Sequence, residues 1–518
     1  MSTQDRPDYL ASGEPARLIP TLAESSKEAR ITSVFLAGMM AVPPFGRRVL
    51  DGIGLKVGKT SRIQCYTEIV FNGEQGEKRD RPDGLILVTT GSKQWRAIIE
   101  AKSGNAQLDE KQIETYLEIG KKHNIDALIT ISNQLSAHPT HHPIVKMRKN
   151  ARGPELFHWS WMHLLTEATL LISQSASEFD DPEQRYILSE VVRFFRHANS
   201  GITHFDRMNA EWKDVVGAIQ SHATLSRTDS AVLNTVGSWH QEQRDICLQM
   251  SRKLGRSVTN RLSRAEIDNP EARLKSDCET LTSVGHLKFT IGIPDTAAPI
   301  DIIADLQRRN ITCEIALSAP QDRKSTSARL NWLTKQLQKT TSSNVFIRAT
   351  WPGRATDTQI SLERARSNPD TIQNPNSSAP PTAFTVVMIQ DLAGDFGRNV
   401  KFIERLEAVV PEFYEQVAQH LRAWVAAPPK ISDDVLSRPE IKVVIQDTEA
   451  PAQVSIAVDA NTGKSPELHE LYVEANSGTH PDSSKNLSER EAATNLSVAA
   501  ALADSDEQMG FIEATSPA

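Results

Sequence analysis

Short apolar runs, separated by turn signals and amphipathic segments, follow one another through the first third of the chain. Five such runs predict strands, at residues 64–71, 85–88, 95–102, 125–131 and 156–161. Amphipathic or apolar segments predict helices at residues 25–40 and 108–122 and from residue 162 onward. Strands that alternate with helices in this way are typical of an α/β fold.

Charged residues stand at the ends of two of these predicted strands. Asp83 precedes the strand at 85–88, and Glu100 and Lys102 end the strand at 95–102. Side chains alternate along a strand, so Glu100 and Lys102 share one face, and we expect Asp83 to meet Glu100 across the pair. Two neighbouring carboxylates repel each other unless a cation lies between them. We therefore predict that Asp83 and Glu100 bind a metal ion.

The chemistry of this predicted site indicates a hard divalent cation. Ligands that are all oxygen atoms favour Mg2+ or Mn2+. Lys102 would lie beside the ion, where its ammonium could hold or polarise the attacking water. Metal, carboxylates and lysine together are what a metal-dependent phosphodiesterase needs.

The same residues carry a resemblance to a known family. Pro82-Asp83-Gly84 precedes an apolar strand, and sixteen residues separate Asp83 from Glu100-Ala101-Lys102, which ends the next strand. This arrangement resembles the PD-(D/E)xK nuclease superfamily, which includes restriction endonucleases, junction resolvases and RecB-type repair nucleases. The resemblance implies a restriction-endonuclease-like core, a mixed sheet flanked by helices, in which Asp83, Glu100 and Lys102 are catalytic. It also implies an Mg2+-dependent DNA endonuclease.

Two residues of the helix predicted at 108–122 add to the resemblance. Gln112 and Tyr116 are four residues apart, so they lie on one helix face. A Gln-x-x-x-Tyr pair after the Glu-x-Lys strand resembles the accessory motif of the RecB-type branch, where the implied role is to position the substrate. The alternative is a pair of half-exposed helix residues without a function.

Two upstream acids are candidates for supporting this site. Glu28 lies in the first turn of the helix predicted at 25–40, from which members of the superfamily often supply a third acid. The alternative is an acid placed there because it interacts favourably with the helix dipole. Glu68 lies in the strand predicted at 64–71, where alternation places it with Tyr66 and Val70. A charge in an apolar strand is costly without a reason, so we expect Glu68 to support the site.

Other motifs in the sequence do not indicate chemistry. Gly58-Lys59-Thr60 is not a P-loop, because that motif requires a glycine where this chain has Ile53. The four cysteines are far apart in sequence, which argues against a zinc ribbon or a disulfide framework. Three histidines lie between prolines without a partner at metal-site spacing, which predicts a solvated loop: His138, His141 and His142.

Five parts follow one another along the chain. They are a polar arm (1–24), the nuclease-like domain (25–175), a helical region (180–280), a second α/β domain (285–428) and an acidic, largely disordered tail (429–518). The second α/β domain has predicted strands at 287–293, 311–317, 345–350, 359–363 and 384–390. It also has predicted helices at 328–337 and 400–425, and a mobile loop at 368–382.

The second α/β domain contains a polar basic segment, residues 322–329, that leads into a predicted helix. Helix N-termini bind phosphate well, and further arginines are nearby in sequence: Arg348, Arg354, Arg364 and Arg366. We therefore expect this domain to contact nucleic acid or a protein partner. The alternative is an ordinary solvated face.

Charge is distributed unevenly along the chain, whose formal net charge is −7. Residues 26–170 hold 20 Lys and Arg against 15 Asp and Glu, whereas residues 431–518 hold 5 against 16. The mildly basic nuclease-like part suits contact with DNA. The sequence has no apolar run long enough to span a membrane, no signal peptide and few cysteines, so we expect a cytoplasmic protein.

The sequence leaves several alternatives open. A protein partner could supply targeting, and a homodimer is compatible with the sequence. Besides a DNA endonuclease, the chain could be a catalytically silent nuclease-fold protein that binds nucleic acid or a protein. A third alternative is a cytoplasmic scaffold whose function lies in the helical and C-terminal parts.

Deleting residues 431–518 should leave a folded protein that binds DNA more tightly, most visibly at low salt. A flexible acidic tail tethered to a basic cleft has an effective concentration on the order of millimolar there, so it competes with phosphate. Binding isotherms of the full-length and truncated proteins at about 50 and 200 mM salt test this. Equal affinities at the lower salt would show that the tail is only a solvated extension.

Overall fold

Two β-sheets and the helices packed against them form the part of the chain that the computed structural model describes, which is residues 7–19, 27–72, 81–144, 153–173 and 181–426. The tail predicted at 429–518 lies outside these residues. No helix within them is both long and apolar enough to cross a membrane.

The first sheet has six strands in the order in which they follow along the chain. They are β1 (Leu10–Pro15), β2 (Arg62–Phe71), β3 (Gly84–Thr90), β4 (Lys93–Ala101), β5 (Ala127–Ser132) and β6 (Glu155–Ser160). Neighbours from β1 to β4 are antiparallel, and β4, β5 and β6 are parallel. The sheet is therefore mixed, as expected, and all five strands predicted for this region are present.

Helices accompany this sheet in the expected order. They are α1 (Lys27–Ala41), α2 (Pro43–Asp51), α3 (Glu110–Lys122) and α4 (Trp161–Ser173). Asp109 caps α3 by accepting a hydrogen bond from the Lys111 N–H at 2.9 Å, which fixes the start of the helix two residues after the predicted one. The sequence pattern did not predict α2 or β1. The strand β1 lies inside the segment predicted as a polar arm, and its Leu10 is buried.

Strand alternation divides the residues of this sheet between two cores. Ile86, Ala97 and Ile99 belong to the core that includes residues of α1, α2 and α4. Leu85 and Ile98 face the other way and pack with residues of α3. Both faces are covered, and so these strands read as continuous apolar runs rather than as alternating ones.

The helical region contains five helices among the residues described. They are α5 (Pro182–Arg196), α6 (Trp212–Gln220), α7 (Ser230–Leu254), α8 (Arg264–Asp268) and α9 (Pro270–Val284), with the two-residue strand β7 (Thr259–Asn260) before α8. The longest, α7, contributes to two cores. Its Leu248 packs in the core of α1, α2 and α4, whereas Val232, Trp239 and Ile246 pack in the core of the second sheet.

The second sheet is antiparallel throughout and runs in the order β12, β11, β13, β10, β9, β8, β7. Its further strands are β8 (His286–Gly292), β9 (Ile300–Asp305), β10 (Asn310–Ser318), β11 (Val345–Thr350), β12 (Thr358–Ser361) and β13 (Ala383–Asp391). The helices are α10 (Thr326–Gln336), α11 (Leu362–Ser367) and α12 (Asn399–Gln416). The five predicted strands are present, and β9 was missed.

Two predictions for this region need correction. The helix predicted to run to residue 425 ends at Gln416, although Val417 and Leu421 continue its apolar pattern from non-helical positions. The loop predicted as mobile at 368–382 is held at two points. Ile372 is buried, and the Asn374 side-chain amide donates a hydrogen bond to the Thr356 carbonyl at 2.6 Å.

The segment after α5 is bound to the loop that follows β4. The Gly104 N–H donates to the Gly201 carbonyl at 2.8 Å, and the Asn133 side-chain amide donates to both the Gly104 and Gly201 carbonyls. Gly201 has φ of +79°, and a Cβ there would lie 3.1 Å from the Gly104 nitrogen and 3.2 Å from the Ser103 Cβ. Only glycine fits this close approach in a left-handed conformation.

Gly201→Ala should therefore destabilise the protein by about 1–2 kcal/mol, because a left-handed alanine is strained and its methyl group would push the two loops apart. Gly217→Ala is the matched control. Gly217 lies in α6 with open space around it, so alanine should be neutral or stabilise the helix by up to about 1 kcal/mol. Urea unfolding of the three proteins measures both effects, and an unchanged stability of Gly201→Ala would contradict the contact.

Candidate active site

The pairing of β3 with β4 brings Asp83 to Glu100. Gly84 pairs with Ile99 in the antiparallel register, so the residue before Gly84 lies beside the residue after Ile99. The Ala101 N–H donates a hydrogen bond to Asp83 Oδ2 at 2.8 Å, which fixes the carboxylate at this end of the strand pair. The structure thus brings together the two acids that the sequence predicts to meet.

Glu100 is a carboxylate almost without solvent exposure, at 1% for the residue. Its Oε2 is buried and has no hydrogen-bond partner among the described residues. Burial, and after it the nearby charge of Asp83, raise the pKa of Glu100 to about 8, and burial raises the pKa of Asp83 to about 6. Both acids thus occupy positions where a bare negative charge is unfavourable, and a cation beside them would relieve that cost.

Lys102 supplies a positive charge to this pair. Its ammonium contacts Glu100 Oε1 directly and lies 3.4 Å from Glu28 Oε1. Burial would lower the pKa of Lys102, but Glu100 and the other acids outweigh that effect and raise it above the ordinary value. Lys102 therefore remains charged at neutral pH.

The backbone of Lys102 is held on both sides. Its N–H donates to the Ile131 carbonyl at 2.7 Å, and its carbonyl accepts a hydrogen bond from Trp161 Nε1 at 2.7 Å. Trp161 is fully buried, so the position of the lysine depends on the core beneath it. The sequence pattern did not indicate a role for Trp161, because the contact of its indole N–H with Lys102 depends on how the strands pair.

Glu28 joins the group from the first turn of α1. Besides its 3.4 Å contact with Lys102, its Oε2 accepts a hydrogen bond from the Ser103 N–H at 3.2 Å. The structure thus brings Glu28 to the loop that follows β4, and it places three acids around one ammonium. A favourable interaction with the dipole of α1 alone would not require the Glu28 side chain to contact Lys102 and Ser103.

Glu68 lies outside this group, which corrects the face predicted for it. Ile69 and Phe71, not Val70, share the core of Tyr66, because the strand alternation shifts by one between Tyr66 and Ile69. Glu68 itself has φ of +52° at an irregular pairing of β1 with β2, and its side chain is exposed. Its backbone N–H donates to the Asp83 carbonyl at 3.3 Å, so its connection to the site is through the main chain.

Gln112 and Tyr116 lie on one face of α3 and are bonded to each other. Gln112 Nε2 donates to the Tyr116 hydroxyl oxygen at 2.9 Å. Tyr116 is fully buried in the core that also contains Leu85 and Ile98, two residues before Glu100 on the same face. Of the two residues, Tyr116 is therefore not half-exposed. It belongs to the core on the side of the sheet that Glu100 faces.

A row of polar side chains continues across this face of the sheet from Glu100. Thr130 pairs with Glu100 in the parallel register, and His158 pairs with Thr130. The Thr130 hydroxyl lies 2.9 Å from His158 Nδ1 and 2.9 Å from His142 Nε2. His142 was predicted in a solvated loop. The loop is present, but this histidine bonds to the sheet.

The hydrogen bonds at both ends of the row fix its proton positions. His158 Nε2–H donates to the Gln134 carbonyl at 2.9 Å, and His142 Nδ1 accepts from the Ile144 N–H at 3.1 Å. His142 Nε2–H thus donates to the Thr130 oxygen, and the threonine hydroxyl donates to His158 Nδ1. Burial lowers the pKa of His158 to about 3 and that of His142 to about 4, so both rings are neutral.

The basic segment of the second sheet is largely occupied by contacts within the protein. Arg329 donates to the Arg323 and Pro381 carbonyls, and Arg366 donates to the Leu337 and Thr340 carbonyls. Lys324, Arg354 and Arg364 remain exposed. Much of the charge counted in the sequence thus has a structural role.

Comparisons with models of protein families, with curated proteins and with solved structures give no match.

Lowering the pH should destabilise the protein through His158, because its folded-state pKa of about 3 lies below the ordinary histidine value of 6.5. The stabilisation is fully present above pH 6.5 and is lost as pH falls, by up to about 1.4 kcal/mol per pH unit. His158→Gln should lose this dependence. Asp83, Glu100 and His142 titrate in both proteins. The difference between the unfolding free energies of the wild-type protein and His158→Gln at about pH 7.5, 6 and 5 therefore reports the contribution of His158.

His222→Gln, at an exposed histidine outside this row, is the control variant for that experiment. Parallel curves for the wild-type protein and His158→Gln would contradict a neutral buried imidazole at this position.

Proposed function

We propose that this protein is a metal-dependent endonuclease that hydrolyses phosphodiester bonds in DNA. The observation that carries the proposal is the convergence of Asp83, Glu100 and Lys102 at one end of the β3–β4 pair, with Glu100 buried and one of its oxygens unpartnered. The element order from α1 to α4 and the mixed sheet support a restriction-endonuclease-like core. Restriction, phage defence and repair are all settings in which such an activity is used.

The residues of the site fit a divalent cation. Asp83 and Glu100 offer carboxylate oxygens only, which suits Mg2+ or Mn2+. The buried Oε2 of Glu100, which lacks a partner, would be satisfied by such an ion. When bound, the ion would act as a Lewis acid on the phosphate and lower the pKa of water.

Lys102 would act on the attacking water and on the charge that develops on the phosphate. Its ammonium is held between Glu100 and Glu28, and its backbone is fixed by Ile131 and Trp161. A donor held in place before the reaction needs no reorganisation when charge develops. Glu28 would orient this ammonium, and Gln112 with Tyr116 would position the substrate beside it.

A catalytically silent protein of the same fold, binding nucleic acid or a protein partner, is the second candidate. The contact between Lys102 and Glu100 favours it, because that ion pair offsets the buried carboxylate without any metal. Cleavage in the presence of a divalent ion decides between the two candidates.

The wild-type protein should cleave plasmid DNA with Mg2+ or Mn2+ and should lose this activity with EDTA. Asp83→Asn and Glu100→Gln should each lower the cleavage rate by about 100-fold or more, because each removes a charged metal ligand. Lys102→Ala should lose turnover comparably while it still binds DNA, since the ammonium acts mainly in the transition state. Single-turnover rates and DNA-binding isotherms measure the two effects separately.

Glu68→Gln is the control for these variants, because the exposed Glu68 lies outside the acid group and should be replaceable without a loss of rate. Wild-type DNA binding without cleavage under any divalent ion would favour the silent alternative. Full activity of Glu100→Gln would show that the reaction takes place elsewhere.

A further inference from the structure

A second group of acids lies away from the candidate active site, where α7 crosses α12. Glu242 and Asp245 belong to α7, and Glu407 belongs to α12. One carboxylate oxygen from each residue lies within 4.8 Å of the other two. In the part of the chain that the structure describes, this is the one set of three acids whose oxygens are this close.

Glu242 is the member that calls for a ligand. It has no solvent exposure, and neither of its carboxylate oxygens has a hydrogen-bond partner among the described residues. Asp245 is also fully buried, and its Oδ1 is unpartnered too. Buried polar atoms almost always have a hydrogen-bond partner. Three buried carboxylate oxygens without a partner in one place therefore indicate that a ligand binds here.

The charges around Glu242 do not compensate it. Burial raises its pKa well above the ordinary value, and the neighbouring Asp245 and Glu407 raise it further. Arg252 is close enough to affect Asp245 but not Glu242, and its guanidinium donates a hydrogen bond to the Thr166 hydroxyl at 2.6 Å. His204 also opposes the rise in the pKa of Asp245, and His204 and Lys253 oppose that of Glu407, whereas no cation among the described residues acts on Glu242 in this way.

Gln249 lies across the cluster on the next turn of α7. Its Nε2 donates to Asp245 Oδ2 at 3.2 Å and contacts Glu407 Oε1. With an ion bound, a half-turn of this amide would exchange these two donated hydrogen bonds for a fourth oxygen ligand.

Glu407 is the member of the cluster that borders solvent. It is only partly buried, and together with Gln249 it lines an open cleft of about 460 Å3, whose other polar lining residues are Arg196, His204, Arg252 and Lys253. The remaining coordination positions would be filled by water from this cleft, as is usual for Mg2+ and Mn2+.

We propose that Glu242, Asp245 and Glu407 bind a hard divalent cation that joins α7 to α12. Its ligands are oxygen atoms alone, which favours Mg2+, Mn2+ or Ca2+ over zinc. The ion neutralises the buried acids and connects the helix that both cores share to the last helix of the second sheet. Its role is structural and does not depend on cleavage of DNA.

Mn2+ is the probe that tests this site, with the melting temperature and the number of bound ions, counted by electron paramagnetic resonance, as readouts. Every protein carries Glu100→Gln, so that the candidate active site contributes less to binding. Mn2+ should raise the melting temperature of this background protein, because an ion that binds only the folded state stabilises it. Glu407→Gln should weaken Mn2+ binding by at least about tenfold and abolish the rise.

Two further variants complete the experiment. Glu404→Gln changes an exposed acid one turn earlier on α12, paired with Lys401, and should retain both the bound ion and the stabilisation. Glu242→Gln should lose both while the protein still folds, because the amide has the shape of the acid without its charge. An unchanged Mn2+ response in Glu407→Gln and Glu242→Gln would overturn the proposal. The absence of any Mn2+ response in the background protein would also overturn it.

Discussion

The desolvated carboxylate of Glu100 is the constraint on which the arrangement of the first sheet depends. An isolated buried carboxylate costs several kcal/mol, so its surroundings must supply charge or protons. Lys102 supplies the charge. The β3–β4 and β4–β5 pairings place that lysine on the same face of the sheet as Glu100, within contact of its carboxylate. The indole of Trp161 and the carbonyl of Ile131 then hold the main chain so that the ammonium stays beside the acid.

Buried acids in this protein differ in how they are compensated. Burial alone would raise the pKa of Glu167, but His163 and Arg48 hold it below the ordinary value, and Arg48 Nε lies 2.5 Å from its carboxylate. Glu100 has one lysine and a second acid, which leaves one oxygen unpartnered. Glu242 has acids and no cation. Glu167 is thus fully paired with positive side chains. At Glu100 and Glu242 the protein's own positive charges do not neutralise all of the buried carboxylates.

Much of the first sheet could be predicted, because the alternation of side chains between the two faces of a strand can be read from residues adjacent in sequence. The alternation in β3 and β4 placed Asp83, Glu100 and Lys102 correctly. The same reasoning failed for Glu68, since the shift in alternation after Tyr66 arises where β2 pairs irregularly with β1, far away in sequence. The end of α12 was also mispredicted, because Val417 and Leu421 are buried by tertiary packing after the helix has ended.

Long-range packing also explains which functional candidates the sequence concealed. A glutamate and an aspartate three residues apart on a helix suggest a solvated face, and nothing local indicates that α7 is covered on both sides. Thr130, His142 and His158 meet only through strand register and the return of a loop. Such groups become recognisable when partners from different elements, up to 165 residues apart in sequence, are seen together.

The double role of α7 has a consequence for how the protein unfolds. Leu248 belongs to the core of α1, α2 and α4, and Trp239 and Ile246 belong to the core of the second sheet, so neither core can lose this helix without exposing apolar surface of the other. The stabilities of the two cores are therefore coupled through α7. A fragment cut before α7 would keep the strands that carry Asp83 and Glu100, yet it would lack part of the core that keeps them folded.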